Sequence, residues 1–291
     1  MMHLSPATRA LLDLTDHERQ NAILANKWIT YTRAQQVAQK MNDLLLHPPM
    51  HRMPNLLVVG DTNNGKTELL QRFVDAHSSY TREHDGRLVW PVLYIQAPVE
   101  PDERRFYNAI LDETSTPYRK ADRVDRKLRQ VLQVLRHLDV KMLIIDEIQH
   151  VLAGTLAKQR LFLNVLKYLS NELKIPFVGA GIRTAQNAIR HDEQLANRFE
   201  PVLMQRWSMG QEYLRLLLSF ERSLPLRKAS NLVEDDIAYK ILSMSDGLLG
   251  EVSKILKRAA VCAIDNKSEC ITVELLDKLD YPFSSGDISG L

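Results

Sequence analysis

Cysteine is nearly absent: the 291 residues contain two, Cys262 and Cys270, both in the C-terminal part. Their spacing matches no metal-ligand pattern, and two isolated thiols argue against a disulfide-stapled secreted domain and for a reduced, intracellular protein. Long apolar runs are missing as well. No stretch approaches the ~20 residues of a membrane-spanning helix. The opening Met1-Met2-His3-Leu4-Ser5-Pro6 lacks the apolar core of a signal peptide, so a cytoplasmic protein without a membrane partner is expected. Charge of one sign is lacking too: 38 basic and 36 acidic residues leave a net charge of +2. Such a balance neither requires nor excludes nucleic acid, and any basic patch must be local. Internal repeats and low-complexity tracts are absent. What remains is an ordinary globular composition, 45% hydrophobic and 25% charged, enough for one large or two moderate domains.

Periodicity organises the chain. Ala34, Val37, Ala38, Met41 and Leu45 recur at helical spacing, and His47-Pro48-Pro49 ends that pattern. Strands are predicted at Asn55–Val59, Leu88–Ile95, Met142–Ile145, Pro176–Ala180 and Val202–Met204. Pro91 marks the second as a sheet-edge strand. Amphipathic helices over 122–138 and 157–173 lie between them. Strands alternating with helices predict an α/β fold with a parallel five-stranded sheet flanked by helices. From residue 211 to 279 the pattern is helical throughout. The expected organisation is an N-terminal helical extension (1–50), an α/β core (51–208), an all-helical unit (209–281) and a flexible tail (282–291).

Gly60-Asp61-Thr62-Asn63-Asn64-Gly65-Lys66-Thr67 fits the Walker A pattern, G-x-x-x-x-G-K-T. It follows the apolar run Leu56–Val59 and precedes a helical segment opened by Glu68, the strand–loop–helix context of a phosphate cradle. Backbone N–H groups in such a loop point at phosphate oxygens, and the helix N-terminus adds positive partial charge. Lys66 is expected to neutralise the β- and γ-phosphates and Thr67 to ligate Mg²⁺. Asp146-Glu147 follows four apolar residues in the Walker B arrangement. Asp146 is expected to hold a Mg²⁺-bound water, completing the metal site begun by Thr67. Glu147 is expected to orient the attacking water or take its proton. The pair implies ATP or GTP hydrolysis, and no guanine-specifying motif stands out.

Arg198, in Leu195-Ala196-Asn197-Arg198-Phe199, lies between the fourth and fifth strands, where an arginine could reach a neighbouring subunit and stabilise charge on a γ-phosphate. Arg183 and Arg190 are weaker candidates for that role, and a plain surface arginine is the alternative. After the fourth strand no Asn or Thr stands at the tip to sense the γ-phosphate; Thr184 is the nearest hydroxyl. Lys254 and Lys257 occupy the helical unit where related ATPases use an arginine, and both also fit a solvated helix face. Arg104, Arg105, Arg119 and Lys120 follow the second strand, and Arg123, Arg126, Lys127 and Arg129 continue the basic bias. They could follow a phosphate backbone, or form an ordinary solvated surface diluted by neighbouring acids.

Taken together, Met53–Thr67, Leu143–Gly154, Gln159-Arg160, Asn164–Leu173, Gln194–Phe199, Leu224–Arg227 and Gly250-Glu251-Val252 resemble the TniB family, transposon-encoded AAA+ ATPases related to TnsC. The resemblance covers roughly residues 20–280. It implies an AAA+ core with a C-terminal helical lid, ATP and Mg²⁺ as cofactors, and assembly on double-stranded DNA as a ring or helical filament. It also implies a matchmaking role between a DDE transposase and a TniQ-type targeting protein. Arg104, Arg105, Arg119 and Lys120 are the DNA contacts it suggests. The chain departs from the family pattern at both sensor positions. No DDE core or base-reading motif is present, so the chain is not expected to cut DNA itself. A nucleotide-gated scaffold without a DNA role, or an AAA+ loader outside transposition, are the alternative readings.

Overall fold

Asn55–Gly60 forms β1, which is buried along its whole length. A strand apolar on both faces belongs in the middle of a covered parallel sheet, and β1 lies between two parallel neighbours there. The computed structural model describes residues 3–25, 27–150, 155–190 and 196–279. Val151–Gly154, Gln194-Leu195 and the tail expected over 282–291 lie outside the described residues. The chain divides into two compact units, one of Gln36–Met204 and one combining the residues up to Gln35 with those from Gln205 onward.

The first unit is built on β1, β4 (Val92–Gln96), β5 (Met142–Asp146), β6 (Phe177–Gly181) and β7 (Phe199–Met204), in the order β4-β5-β6-β1-β7. Every pairing is parallel. The five-stranded parallel sheet is therefore as the alternation predicts. Its helices are α4 (Lys66–Ala76), α5 (Glu103–Glu113), α6 (Val124–His137), α7 (Leu156–Leu173) and α8 (Arg183–Arg190). Phe106 of α5 and Phe162 of α7 meet edge to face at 5.0 Å beside the buried Leu57, Ile95 and Ile145. Asn55 fixes the register at the start of β1: its Oδ1 accepts the Phe177 N–H at 2.8 Å.

Two strands differ from expectation. The apolar run Leu88–Ile95 is not one strand. Leu88–Val89 (β3) pairs antiparallel with Tyr80–Thr81 (β2) in a separate small sheet, while Val92–Gln96 forms the edge of the main one. Pro91 is the cause. It has no N–H to give a ladder, and its carbonyl instead accepts from Lys141 N and Met142 N at 2.9 and 3.0 Å. Strand β7 is longer than Val202–Met204. Its extra residues include exposed Glu200 and Pro201, tolerated because β7 is also an edge.

The second unit is helical: α1 (Pro6–Ala10), α2 (Asp16–Leu24), α9 (Gln211–Ser223), α10 (Asp235–Ser245), α11 (Leu249–Asp265) and α12 (Val273–Asp277). In sequence, α3 (Thr32–Leu45) runs across the boundary between the units. Thr15 and Glu18 cap α2 reciprocally. Arg19 of α2 is wholly buried and makes a two-pronged pair with Glu269, at 2.8 and 2.6 Å, while donating to Asp16 at 2.7 Å and to the Pro225 carbonyl. Glu221 accepts the N–H groups of Ser230, Asn231 and Leu232 at 2.8–3.1 Å, folding that turn against α9.

Candidate nucleotide site

The loop that leaves β1 bends sharply enough to need glycine. A Cβ on Gly60 would stand 2.9 Å from the Met204 carbonyl oxygen. Asn63 (φ 60°) and Gly65 (φ 78°) both take the left-handed conformation. Asn64 is buried, and its Nδ2 donates to the Met204 carbonyl at 2.7 Å, tying the loop to the end of β7. Helix α4 begins at Lys66 with Gly65 at its N-cap, and no side chain caps it. Thr62, Asn63, Thr67 and Glu68 are exposed around it, with Asp61 half-buried.

Lys66 is 5% exposed. Its Nζ donates to the carbonyls of Gly60 and Asp61 at 2.9 and 2.8 Å. Burial pushes its ammonium pKa down; Glu147 is the foremost of the charges that oppose this, ahead of Asp146 and Asp61. Asp146 ends β5 directly opposite. Its Oδ2 accepts the Thr67 hydroxyl at 2.7 Å and the Tyr94 hydroxyl at 2.9 Å, and its Oδ1 accepts the Glu147 N–H at 2.8 Å. Burial, then Asp146, raises the Tyr94 hydroxyl well above its ordinary range, so Tyr94 is a fixed donor. Glu147 has φ 52°, the left-handed region that a non-glycine residue seldom takes. Its carboxylate accepts from Gln149 Nε2.

Lys66, Thr67, Asp146 and Glu147 thus converge where β1 and β5 end. The Thr67 hydroxyl and the Asp146 carboxylate, 2.7 Å apart, are hard oxygen donors of the kind Mg²⁺ takes, so Thr67 would ligate the ion and Asp146 would hold a water bound to it. Among the described residues, no cluster of three or more His, Cys, Asp or Glu could hold a metal.

Arg198 is not part of this convergence. It precedes β7, and its carbonyl accepts the N–H of Asn55, the first residue of β1. The loop from Gly60 to Thr67 leaves the other end of β1. At a strand rise of 3.3 Å per residue, the two ends lie roughly 17 Å apart. Arg198 Nη1 donates to Asn171 Oδ1 on α7 at 2.9 Å. Arg183 and Thr184 open α8 and Arg190 ends it, all exposed. In the helical unit, Lys254 pairs with Glu251 at 2.8 Å, and Lys257 donates to the carbonyls of Leu24 and Ala25 behind α2.

The basic region divides by helical face. Arg104 and Arg105 are exposed on the first turn of α5, and Arg105 faces Glu100 at 3.4 Å. Arg119 and Lys120 are exposed on the loop between α5 and α6. Arg119, Arg126 and Arg129 line an open groove with Tyr118 and Asp122. Lys127 is different: it is turned inward, with Nζ 2.7 Å from Asn108 Oδ1 and 4.0 Å from the centre of the Tyr118 ring. Burial lowers its pKa, and it adds nothing to a basic surface. Sequence reasoning missed Tyr94 and Gln149. Tyr94 reads as one more apolar strand residue, and Gln149 belongs to no nucleotide-binding pattern.

Among solved structures the chain is similar to the ORC2 protein of Aeropyrum pernix in ADPNP–ADP complexes, with TM-score 0.63, 17% identity, and 89% of this chain and 70% of that chain covered. It is also similar to A. pernix ORC1 in complex with DNA (TM-score 0.59, 14% identity, 89% and 67% covered). A third likeness is to domain III of the Thermotoga maritima replication initiation protein DnaA (TM-score 0.51, 15% identity, 97% and 99% covered). These likenesses establish a P-loop AAA+ fold. No curated protein matches the chain. The family model for the bacterial TniB protein matches residues 19–209, which is more than half the chain and includes the whole site around Lys66 and Asp146, so the chain belongs to the TniB family.

Proposed function

We propose that this protein is an ATP-dependent, DNA-binding AAA+ regulator of transposition. In this reading it assembles on duplex DNA as a ring or helical filament and links a TniQ-type targeting protein to a DDE transposase in the cytoplasm. The observation that carries the nucleotide part is the convergence of buried Lys66 with Thr67, Asp146 and Glu147 at the ends of β1 and β5. Gly60 to Glu68 form the cradle, and Lys66 grips the terminal phosphates. Thr67 would ligate Mg²⁺ and Asp146 would hold a water bound to it, and the ion, when bound, would supply neutralising charge to the phosphates. Tyr94 keeps Asp146 aimed, and Glu147 orients the water. The α/β residues 51–208 act as the hydrolytic core, and the helical residues 209–281 act as its lid.

Arg198 completes the site of a neighbouring copy. Its position at the far end of β1 separates it from the phosphates of its own subunit, which supports action between subunits. Hydrolysis then removes the γ-phosphate on which the contact depends and loosens the assembly. Family membership supports the transposition role. The exposed Arg104, Arg105, Arg119 and Lys120 supply the cationic track for DNA.

The test is electron microscopy of the protein with duplex DNA, Mg²⁺ and either ATP or a slowly hydrolysed analogue. Filaments or rings are expected, more persistent with the analogue. A chain that stays monomeric under both conditions ends this reading. Replacing Arg119 and Lys120 by alanine should weaken DNA binding and lower the slope of log affinity against log salt by about 2. An unchanged slope favours a nucleotide-gated scaffold instead.

A further inference from the structure

Gln149 lies two residues past Glu147, in the turn that follows β5, and its side chain bridges two elements. Its Oε1 accepts the backbone N–H of Ile182 at 3.3 Å, just after β6. Its Nε2 donates to the Glu147 carboxylate. A backbone N–H can only donate and a carboxylate can only accept, so these partners fix which way round the amide sits. The turn itself is pinned to β6, with Ile148 N donating to the Ala180 carbonyl at 2.9 Å.

The slot that admits this amide is made by Gly181. A Cβ there would stand 2.5 Å from Gln149 Oε1. The tip of β6 therefore carries no polar side chain of its own, and the amide of Gln149 fills that place. Meanwhile the Glu147 backbone sits in a sparsely populated conformation, and its carboxylate is the foremost charge acting on Lys66. The contact from Gln149 is the one that ties that carboxylate to the end of β6.

We propose that Gln149 is a positioning residue for Glu147, tethering its carboxylate to the end of β6 so that its aim follows the position of the β6 tip. This rests on the reading of Glu147 as the group that orients the attacking water. Two variants separate the contacts. Gln149→Met keeps the volume and removes both hydrogen bonds. Gln149→Glu, when ionised, can still accept from the Ile182 N–H but cannot donate to Glu147.

The experiment measures steady-state ATP hydrolysis and the affinity for a fluorescent ATP analogue, in the wild-type and Glu147→Gln backgrounds. Both variants should lose roughly 10- to 100-fold in kcat with nucleotide affinity preserved, since misaimed groups cost rate rather than binding. In the Glu147→Gln background neither should lower the residual rate further, because the residue acts through Glu147. Three outcomes overturn the proposal: a wild-type kcat in either variant, a loss matched by lost nucleotide affinity, or a loss that recurs in the Glu147→Gln background. A wild-type protein that hydrolyses nothing removes the underlying ATPase reading as well. Normal Gln149 variants beside an inactive Glu147→Gln remove only the tether.

Discussion

At Lys66, burial and the neighbouring acids pull in opposite directions. Burial disfavours the ammonium, while Glu147, Asp146 and Asp61 favour it. The loop carbonyls of Gly60 and Asp61 accept hydrogen bonds from its ammonium. A charge so enclosed is well placed to meet a phosphate, because hydrogen bonds between ionised groups are the strong ones. Lys66→Ala should weaken nucleotide binding by about 10- to 100-fold. Glu147→Gln should leave binding intact and slow hydrolysis ~100-fold or more, the range of a lost general base, giving over-stable assemblies. Nucleotide titration and phosphate release check the pair; a normal rate in Glu147→Gln removes the role assigned to that carboxylate. The sequence motif identified these residues, since G-x-x-x-x-G-K-T followed by a helix has a mechanical meaning. It did not identify Tyr94, whose hydroxyl reaches Asp146 only because β4 and β5 pair with Gln96 opposite Asp146.

Among the elements, α2 has an unusual anchor. Arg19 is fully buried, and the carboxylate of Glu269 and that of Asp16 satisfy most of its donors. Removing Glu269 would leave this buried guanidinium with only Asp16 and the Pro225 carbonyl, and an incompletely compensated buried charge is costly. Glu269→Ala should therefore destabilise the helical unit by about 3–5 kcal/mol, read by chemical denaturation. The pair also sets a pH dependence. Hydrogen bonds from Lys267 and then Arg19 hold Asp16 down at about 2. A bond from Arg19 likewise lowers Glu269, against the opposing effect of burial. Both acids have folded pKa values below their unfolded ones, so their contribution is fully present above the ordinary carboxylate range. It is lost as pH falls from about 4.5 towards 2. Thermal melts across that interval should decline in the wild type and run flatter in Glu269→Ala. None of this was legible beforehand: Arg19 and Glu269 are separated by most of the chain and match no motif. The element types were legible, because helical spacing over 211–279 and apolar strand runs are local signals. Pro91 was legible as an edge marker, but not as the break between two sheets.

For the whole molecule, the placement of Arg198 has the largest consequence. It sits at the start of β1 and β7, while the loop from Gly60 to Thr67 leaves the opposite end of β1. If it serves a neighbouring copy, two inactive variants should rescue one another. Arg198→Ala supplies an intact cradle, and Lys66→Ala supplies an intact arginine. Mixing them with DNA and ATP should restore part of the hydrolysis that each lacks alone, measured as phosphate release against mixing ratio. No recovery at any ratio would mean that Arg198 does not act between subunits.

The amino-acid sequence by itself determined the fold class, the glycine-bent loop between β1 and α4, the acidic pair after β5 and the helical character of the C-terminal residues. Each is written in contiguous spacing, where a backbone geometry needs particular residues within a few positions. Only the tertiary structure decided that Lys127 faces inward, that Arg198 lies far from its own loop, that Arg19 pairs with Glu269, and that Gln149 reaches both Glu147 and Ile182. Those facts depend on which strand lies beside which and which face of a helix turns inward, and such neighbours are remote along the chain.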